Sequence, residues 1–217
     1  MSELVSVIIP VFNAAPFLKD SLESVINQTY SNIEIICIDD GSTDNSLEIL
    51  KFFSDKITII SQENQGLASA LNVGIKKMKG KWFKWFSPDD VMFHNTIEIL
   101  VNEAEKFSNT IIYSDWDVID EKSNLLRSFQ ESNYNELINF EYNVRLLDRQ
   151  LINVNTTLIP SSLLEKCSIR DLDDPVAIDY DLFLNAALLF DTKFRLIQKS
   201  LIKYRIHTKQ LSHNNIS

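Results

Sequence analysis

The sequence predicts an α/β fold, a mainly parallel sheet with helices on both faces. Three observations carry that expectation. Short β-branched runs alternate with segments of helical apolar period through about residue 113. The runs are apolar enough to read as buried strands. Two of them end in carboxylate pairs, Asp39-Asp40 and Asp89-Asp90. In such sheets ligands bind beyond the carboxyl ends of the strands, so four carboxylates are expected at one edge.

Residues 5–12 form the first strand. Asn13 is expected to cap the following helix, which has Pro16 in its first turn and Leu18, Leu22, Val25 and Ile26 on one face. The second strand, 33–38, runs into Asp39-Asp40-Gly41-Ser42-Thr43-Asp44, with Ser42 as the expected cap of the next helix. A third strand covers 57–60. Leu67, Ala70, Leu71, Ile75 and Met78 mark a helix whose last turn is basic and closes at Gly80. Residues 82–86 make a fourth strand before Ser87-Pro88-Asp89-Asp90. A helix over about 95–107 and a fifth strand at 111–113 follow. The alternation then breaks. A hairpin over 115–129 turns near Lys122-Ser123-Asn124. A helix over 131–149, a strand over 152–159, a helix over 178–190, one or two closing strands over 194–206 and a polar tail from Leu211 complete the reading.

The chain has 217 residues, 45% of them hydrophobic, enough to bury one full core. The expected organisation is a single domain with two halves, 1–114 and 115–217. A formal charge of −9 argues against a nucleic acid partner. Cys37 and Cys167 lie far apart and match no zinc-ligand spacing, so a reducing, cytoplasmic setting is expected. No apolar run reaches the length of a membrane span. The basic, aromatic stretch 76–84 could touch an anionic membrane surface at its inner face, although helix-end chemistry explains it more simply. A dinucleotide-dependent oxidoreductase is excluded, because no G-x-G-x-x-G follows the first strand and the chain has only 4 glycines.

Six segments in register point to a family: Val5-Ser6-Val7-Ile8-Ile9-Pro10-Val11-Phe12-Asn13, Ile38 to Asp44, Glu63-Asn64-Gln65-Gly66-Leu67 with Asn72 and Gly74, Asp89-Asp90, Asp179-Tyr180-Asp181-Leu182, and Tyr204-Arg205-Ile206-His207. In order and spacing the chain resembles a family 2 glycosyltransferase of the GT-A type over nearly its whole length. That resemblance implies a Rossmann-like sheet with a smaller C-terminal portion on the acceptor side. It also implies an inverting enzyme that moves a sugar from a nucleotide diphosphate, UDP-sugar foremost, to a glycan or lipid-linked acceptor. Pro10, Phe12, Asp40 and Asp89 match nucleotide-binding positions. Asp90 and His207 match the site of a divalent cation, Mn²⁺ or Mg²⁺. Asp179 matches the catalytic base. The chain departs from the family at Ser87, where an extra Asp is often found, and at Leu71, where many members carry Arg. These departures favour the rival reading of a catalytically weak or inactive member that binds a nucleotide sugar or only a partner protein, while the retained Asp40, Asp90 and Asp179 argue against it.

The chemistry needs these residue types. Charge develops on the leaving diphosphate, and a hard cation held by one or two carboxylates stabilises it. Neighbours in an extended segment point to opposite sides, so one of Asp89 and Asp90 should face the ion, expected to be Asp90, and the other the ribose. The acceptor hydroxyl must lose a proton, which a carboxylate can take. Asp179 and Asp181 stand on different faces of one helix, so only one of them can look into a cleft.

Overall fold

A computed structural model describes residues 2–135, 137, 139–148, 152–208 and 210. The expected tail from Leu211 lies outside the described residues. Nine strands and seven α-helices occur among them: β1 (Val5–Val11), α1 (Ala15–Ile26), β2 (Ile33–Asp40), α2 (Ser46–Phe52), β3 (Thr58–Gln62), α3 (Leu67–Lys77), β4 (Trp82–Trp85), β5 (Val91–Met92), α4 (Thr96–Ala104), β6 (Thr110–Ile119), β7 (Leu125–Phe129), α5 (Asn139–Asp148), β8 (Ile159–Pro160), α6 (Ser161–Leu164), α7 (Ile178–Phe190) and β9 (Lys193–Arg205). They build two sheets, ordered β3-β2-β1-β4-β8 and β5-β9-β6-β7. In the first, β1 to β4 are parallel and β8 closes the edge antiparallel to β4. This is the expected α/β architecture, a mainly parallel sheet with helices on both faces.

Alternation along each strand divides the core. Val5, Val7, Ile9, Ile35 and Cys37 face one way, where Leu18, Leu22, Val25 and Leu50 of α1 and α2 cover them. Ile8, Ile36 and Ile38 face the other way, against Ala68 and Leu71 of α3 and Phe183 of α7. Because both faces are covered, these strands are apolar at nearly every position. Gly74 lets α3 sit directly on the sheet. A Cβ there would come within 2.5 Å of Ile8 Cγ2 and 2.8 Å of Ile38 Cδ1. Gly74→Ala is expected to destabilise by about 1–3 kcal/mol through overpacking. A urea titration checks this; an unchanged midpoint would mean that α3 can slide away at no cost.

The second sheet is mixed. β6 runs parallel to β9 and antiparallel to β7, and β5 pairs antiparallel with β9. The register of β6 on β9 shifts at Ser114–Asp115–Trp116, a bulge that bends the strand. The boundary expected at residue 114 therefore falls inside one continuous strand.

Helix α7 and the hairpin over 115–129 agree with the sequence reading. The closing segment, expected as one or two strands over 194–206, agrees with that reading as the single strand Lys193–Arg205. Other features differ. The fifth strand extends to Ile119 because its second half finds partners on both sides in β7 and β9. The run 152–159 is mostly not a strand. Asn153 accepts a hydrogen bond from the Asn155 N–H and starts a 3₁₀ turn at Val154–Thr156, leaving a bridge of Leu158 to Ile112 and the two-residue strand Ile159–Pro160. Asn13 and Ser42 are not caps. Asn13 has φ 51°, and its side-chain oxygen accepts from the Thr43 and Asp44 backbone N–H groups, while Ser42 Oγ accepts from Asn13 N–H. The two loops tie each other together across the sheet edge.

Candidate active site

The parallel strands deliver their carboxyl ends to one edge. Phe12 follows β1, Asp40 ends β2, and Ser87-Pro88-Asp89-Asp90 follows β4. Because β1 lies between β2 and β4, Phe12 stands between the Asp40 and Asp89 positions. It is 48% exposed, a large aromatic left open at this edge. Pro10 is buried within β1.

Asp40 is buried and fully engaged. Its Oδ1 accepts from Gln62 Nε2 at 2.7 Å and from the Gln65 N–H at 2.9 Å; its Oδ2 accepts from the Gly66 N–H at 2.9 Å. Gly66 supplies its N–H from φ +87°, a backbone geometry that favours glycine. Asp40 thus fixes the loop that starts α3.

A cavity of about 520 Å³ opens beside this edge. Ser87 and Asp89 line it from the β4 loop, Asp179 from the first turn of α7, and Asn153 and Asn155 from the 3₁₀ turn. The carboxylates from β4 and α7 therefore share one hollow. Asp181 does not line it. Arg170 donates to both Asp181 oxygens, through Nε at 2.8 Å and through a terminal nitrogen. The helical offset expected between Asp179 and Asp181 is realised, with Asp179 on the cavity side. Pro10, Phe12 and Asp40 lie along the edge outside the cavity lining.

Asp89 sits in the turn at Pro88-Asp89 and Asp90 just before β5, and the two carboxylates end in different surroundings. Asp89 lines the cavity, and its Oδ2 lies 3.0 Å from His207 Nε2. Asp90 is wholly buried. Its Oδ1 accepts from the Arg205 backbone N–H at 2.8 Å, and its Oδ2 has no hydrogen-bond partner. Burial, then the neighbouring Asp89 charge, hold its carboxyl well above the usual carboxylate range, against the pull of Arg205 and Lys84. Asp90 therefore faces inward and does not reach the open hollow. Among the described residues, no three carboxylate, His or Cys side chains converge as a ready metal site.

The sequence reading missed two buried cations beneath the loop. Lys84 is fully buried in β4, and its Nζ donates to the Asn155 carbonyl. Asn155 Oδ1 in turn accepts from the Ser87 N–H at 2.8 Å. Burial lowers the Lys84 ammonium pKa to about 7, partly opposed by the Asp90 carboxylate. The basic stretch 76–84 is thereby split. Lys76, Lys77, Lys79 and Lys81 are exposed, and Lys84 belongs to the core. The other cation, Arg205, is also fully buried. It donates to the carbonyls of Asp89, Asp120 and Glu121 and to Ser123 Oγ, and it lies 4.9 Å over the Phe17 ring. Phe17 packs on His207 at 4.7 Å. A lone Lys in an apolar strand was the available signal for Lys84. Arg205 had none beyond its place beside His207.

Comparison with known proteins fits this geometry. Residues 6–161 match the family described as Glycosyl transferase family 2. An uncharacterized glycosyltransferase of Rickettsia prowazekii is 38% identical over 100% of this chain and 68% of its own length. The glycosyltransferase GlyA of Streptococcus pneumoniae is 31% identical over 98% of this chain, but only 32% of its own length. In fold, the chain is similar to residues 1–349 of Staphylococcus aureus TarS, solved in complex with UDP-GlcNAc, with a TM-score of 0.75 at 18% identity. That match covers 96% of this chain and 60% of the TarS chain. No helix among the described residues is long and apolar enough to cross a membrane.

Proposed function

The chain belongs to glycosyl transferase family 2, which makes it a glycosyltransferase, and from that premise we propose that it moves the sugar of a nucleotide diphosphate donor to an acceptor hydroxyl with inversion. The observation that carries this reading is the shared cavity of Asp89 and Asp179, supplied by separate elements. UDP-sugars are the donors of choice, supported by the fold neighbour solved with UDP-GlcNAc. Phe12 and the loop fixed by Asp40 offer an aromatic face and a rigid floor for the base at the sheet edge.

Asp179 acts as the base that takes the proton of the acceptor hydroxyl as it attacks the anomeric carbon. Direct attack inverts that centre and needs no covalent sugar intermediate. Asp89 and His207 fit a hard divalent cation, Mn²⁺ or Mg²⁺, because such ions accept one carboxylate and take further ligands from phosphate oxygens. When bound, the ion stabilises the charge that develops on the leaving diphosphate. Asp90 serves as the inward anchor of the same loop, through the Arg205 backbone N–H. The acceptor is a glycan or lipid-linked hydroxyl, approached from the wall formed by the second sheet and the 3₁₀ turn.

Calorimetry with UDP and Mn²⁺ tests the site. Asp89→Ala should weaken Mn²⁺-dependent UDP binding by more than about 100-fold, beyond the 10–100-fold typical of lost outer-shell partners. Asp90→Asn should retain binding, because its side chain is buried away from the hollow and an amide oxygen can still accept from the Arg205 backbone N–H. The reverse pattern would move the ion to Asp90. A binding-only member is the second reading, favoured by Ser87 and the sparse ligand set. Tight UDP-sugar binding with no hydrolysis or transfer for any donor would establish it.

A further inference from the structure

The run 82–86 is apolar except at one position. Trp82, Phe83, Trp85 and Phe86 are buried, and so is Lys84 among them. Alternation puts Lys84 on the side of Trp82 and Phe86, and its Nζ lies 5.6 Å over the Phe86 ring. Stripping water from an ammonium destabilises a fold, so stability does not explain this lysine. Its hydrogen bonds point elsewhere. Lys84 Nζ donates to the Asn155 carbonyl. Asn155 Oδ1 accepts from the Ser87 N–H at 2.8 Å, and the Ser87 carbonyl accepts from Ser21 Oγ at 3.1 Å. Ser87 opens the loop that carries Asp89. Asn155 sits in the 3₁₀ turn Val154–Thr156, 68 residues along the chain. Both line the cavity. The far end of the loop has a separate anchor, the Arg205 hydrogen bonds to Asp89 and Asp90.

We propose that Lys84 is a positioning residue for sugar transfer: it fixes the 3₁₀ turn against the loop of Asp89, and so holds the cavity wall closed to water around a bound donor. The proposal rests on the glycosyltransferase reading and adds a residue buried beneath the substrates. A nucleotide sugar split by water is lost to the acceptor, so the walls of the site must exclude water while the donor waits. An ammonium suits the task. Its charge strengthens the bond to a carbonyl, and the low dielectric of an apolar strand strengthens it further. A methionine fills a similar volume but can hold no carbonyl. Asp89 keeps its own anchor on Arg205, so loss of Lys84 should loosen the turn and spare the grip on the diphosphate.

Lys84→Met and Asn155→Ala test this in the full chain. Lys84→Met removes a buried charge and keeps the volume of its stem, so the melting point should stay within about 4 °C of wild type. If it falls further, Asn155→Ala, which keeps the ammonium, carries the test alone. Calorimetry with Mn²⁺ should show unchanged UDP binding in both. The Thr156 and Thr157 N–H groups are bonded within the turn to the Asn153 and Val154 carbonyls and report its opening. Their hydrogen exchange should quicken by about 3–10-fold, the effect of one lost hydrogen bond. Exchange of the Phe86 N–H, held by the Ile8 carbonyl, should not change. UDP release to water is assayed from UDP-glucose, UDP-galactose, UDP-GlcNAc and UDP-GalNAc. For at least one donor it should rise by the same factor of about 3–10 at unchanged donor KM, because water enters through the same opening. The double variant should exceed neither single, since both cut one tie. Faster exchange with UDP release equal to wild type would make Lys84 a structural residue and overturn the proposal alone. So would weakened UDP binding in Lys84→Met, or wild-type behaviour of Asn155→Ala. No UDP release from any donor by wild type or variants would overturn the transferase reading, and the proposal with it.

Discussion

Asp179→Asn is expected to lower sugar transfer by about 10²–10⁴-fold, the usual contribution of a positioned general base. UDP binding should be unchanged. The substitution is nearly isosteric and lies in the first turn of α7, away from the loop that holds Asp89. An amide cannot take the acceptor proton, so the loss should appear in kcat rather than in donor KM. The neighbouring carboxylate provides the control. Asp181 is engaged by Arg170 and does not line the cavity, so Asp181→Asn should change activity little. Steady-state transfer assays on both variants decide the matter. Full transfer by Asp179→Asn, or an equal loss in both, would assign the base elsewhere.

Arg205→Met should destabilise the chain by more than about 3 kcal/mol, the cost of breaking a buried charged network from one side. The guanidinium is the donor for three carbonyls and one hydroxyl, and all four acceptors lose their partner together. At roughly 2–4 °C per kcal/mol for a chain of this size, the melting point should fall by about 6–12 °C. Arg205→Lys should recover little, because a single ammonium cannot reproduce the planar fork. The donor loop should suffer as well, since Arg205 Nε holds the Asp89 carbonyl. Thermal melts of both variants, with and without UDP and Mn²⁺, check this. A fall of less than about 2 °C in Arg205→Met would mean that water satisfies the abandoned carbonyls.

Much of the fold was legible because its signals are local. The strands of the first sheet are apolar on both faces, and helix α7 matches its expected span of 178–190. The exposed basic side chains at the end of α3 follow from helix-terminus chemistry. Local rules failed where a distant segment offered a better partner. Asn13 was expected to cap its own helix, yet it serves the Thr43 and Asp44 N–H groups 30 and 31 residues away. The 152–159 run has strand composition, but Asn153 turns the chain before a ladder can form.

By itself, the sequence determined the α/β architecture and the delivery of carboxylates to one sheet edge. Each of these depends only on backbone periodicity and on the chemistry of neighbouring residues. Tertiary structure decided which of the two carboxylates opens to the cavity, because the N–H that captures Asp90 belongs to β9, 115 residues away. It decided that Lys84 is buried, since Asn155 is brought to it from 71 residues on. It also brought Tyr204 of β9 beside the β6–β7 hairpin, so that it lines the same cavity as Trp116 and Phe129. A hydrogen bond or a ring contact is set by separation in space, and only the folded chain fixes that separation.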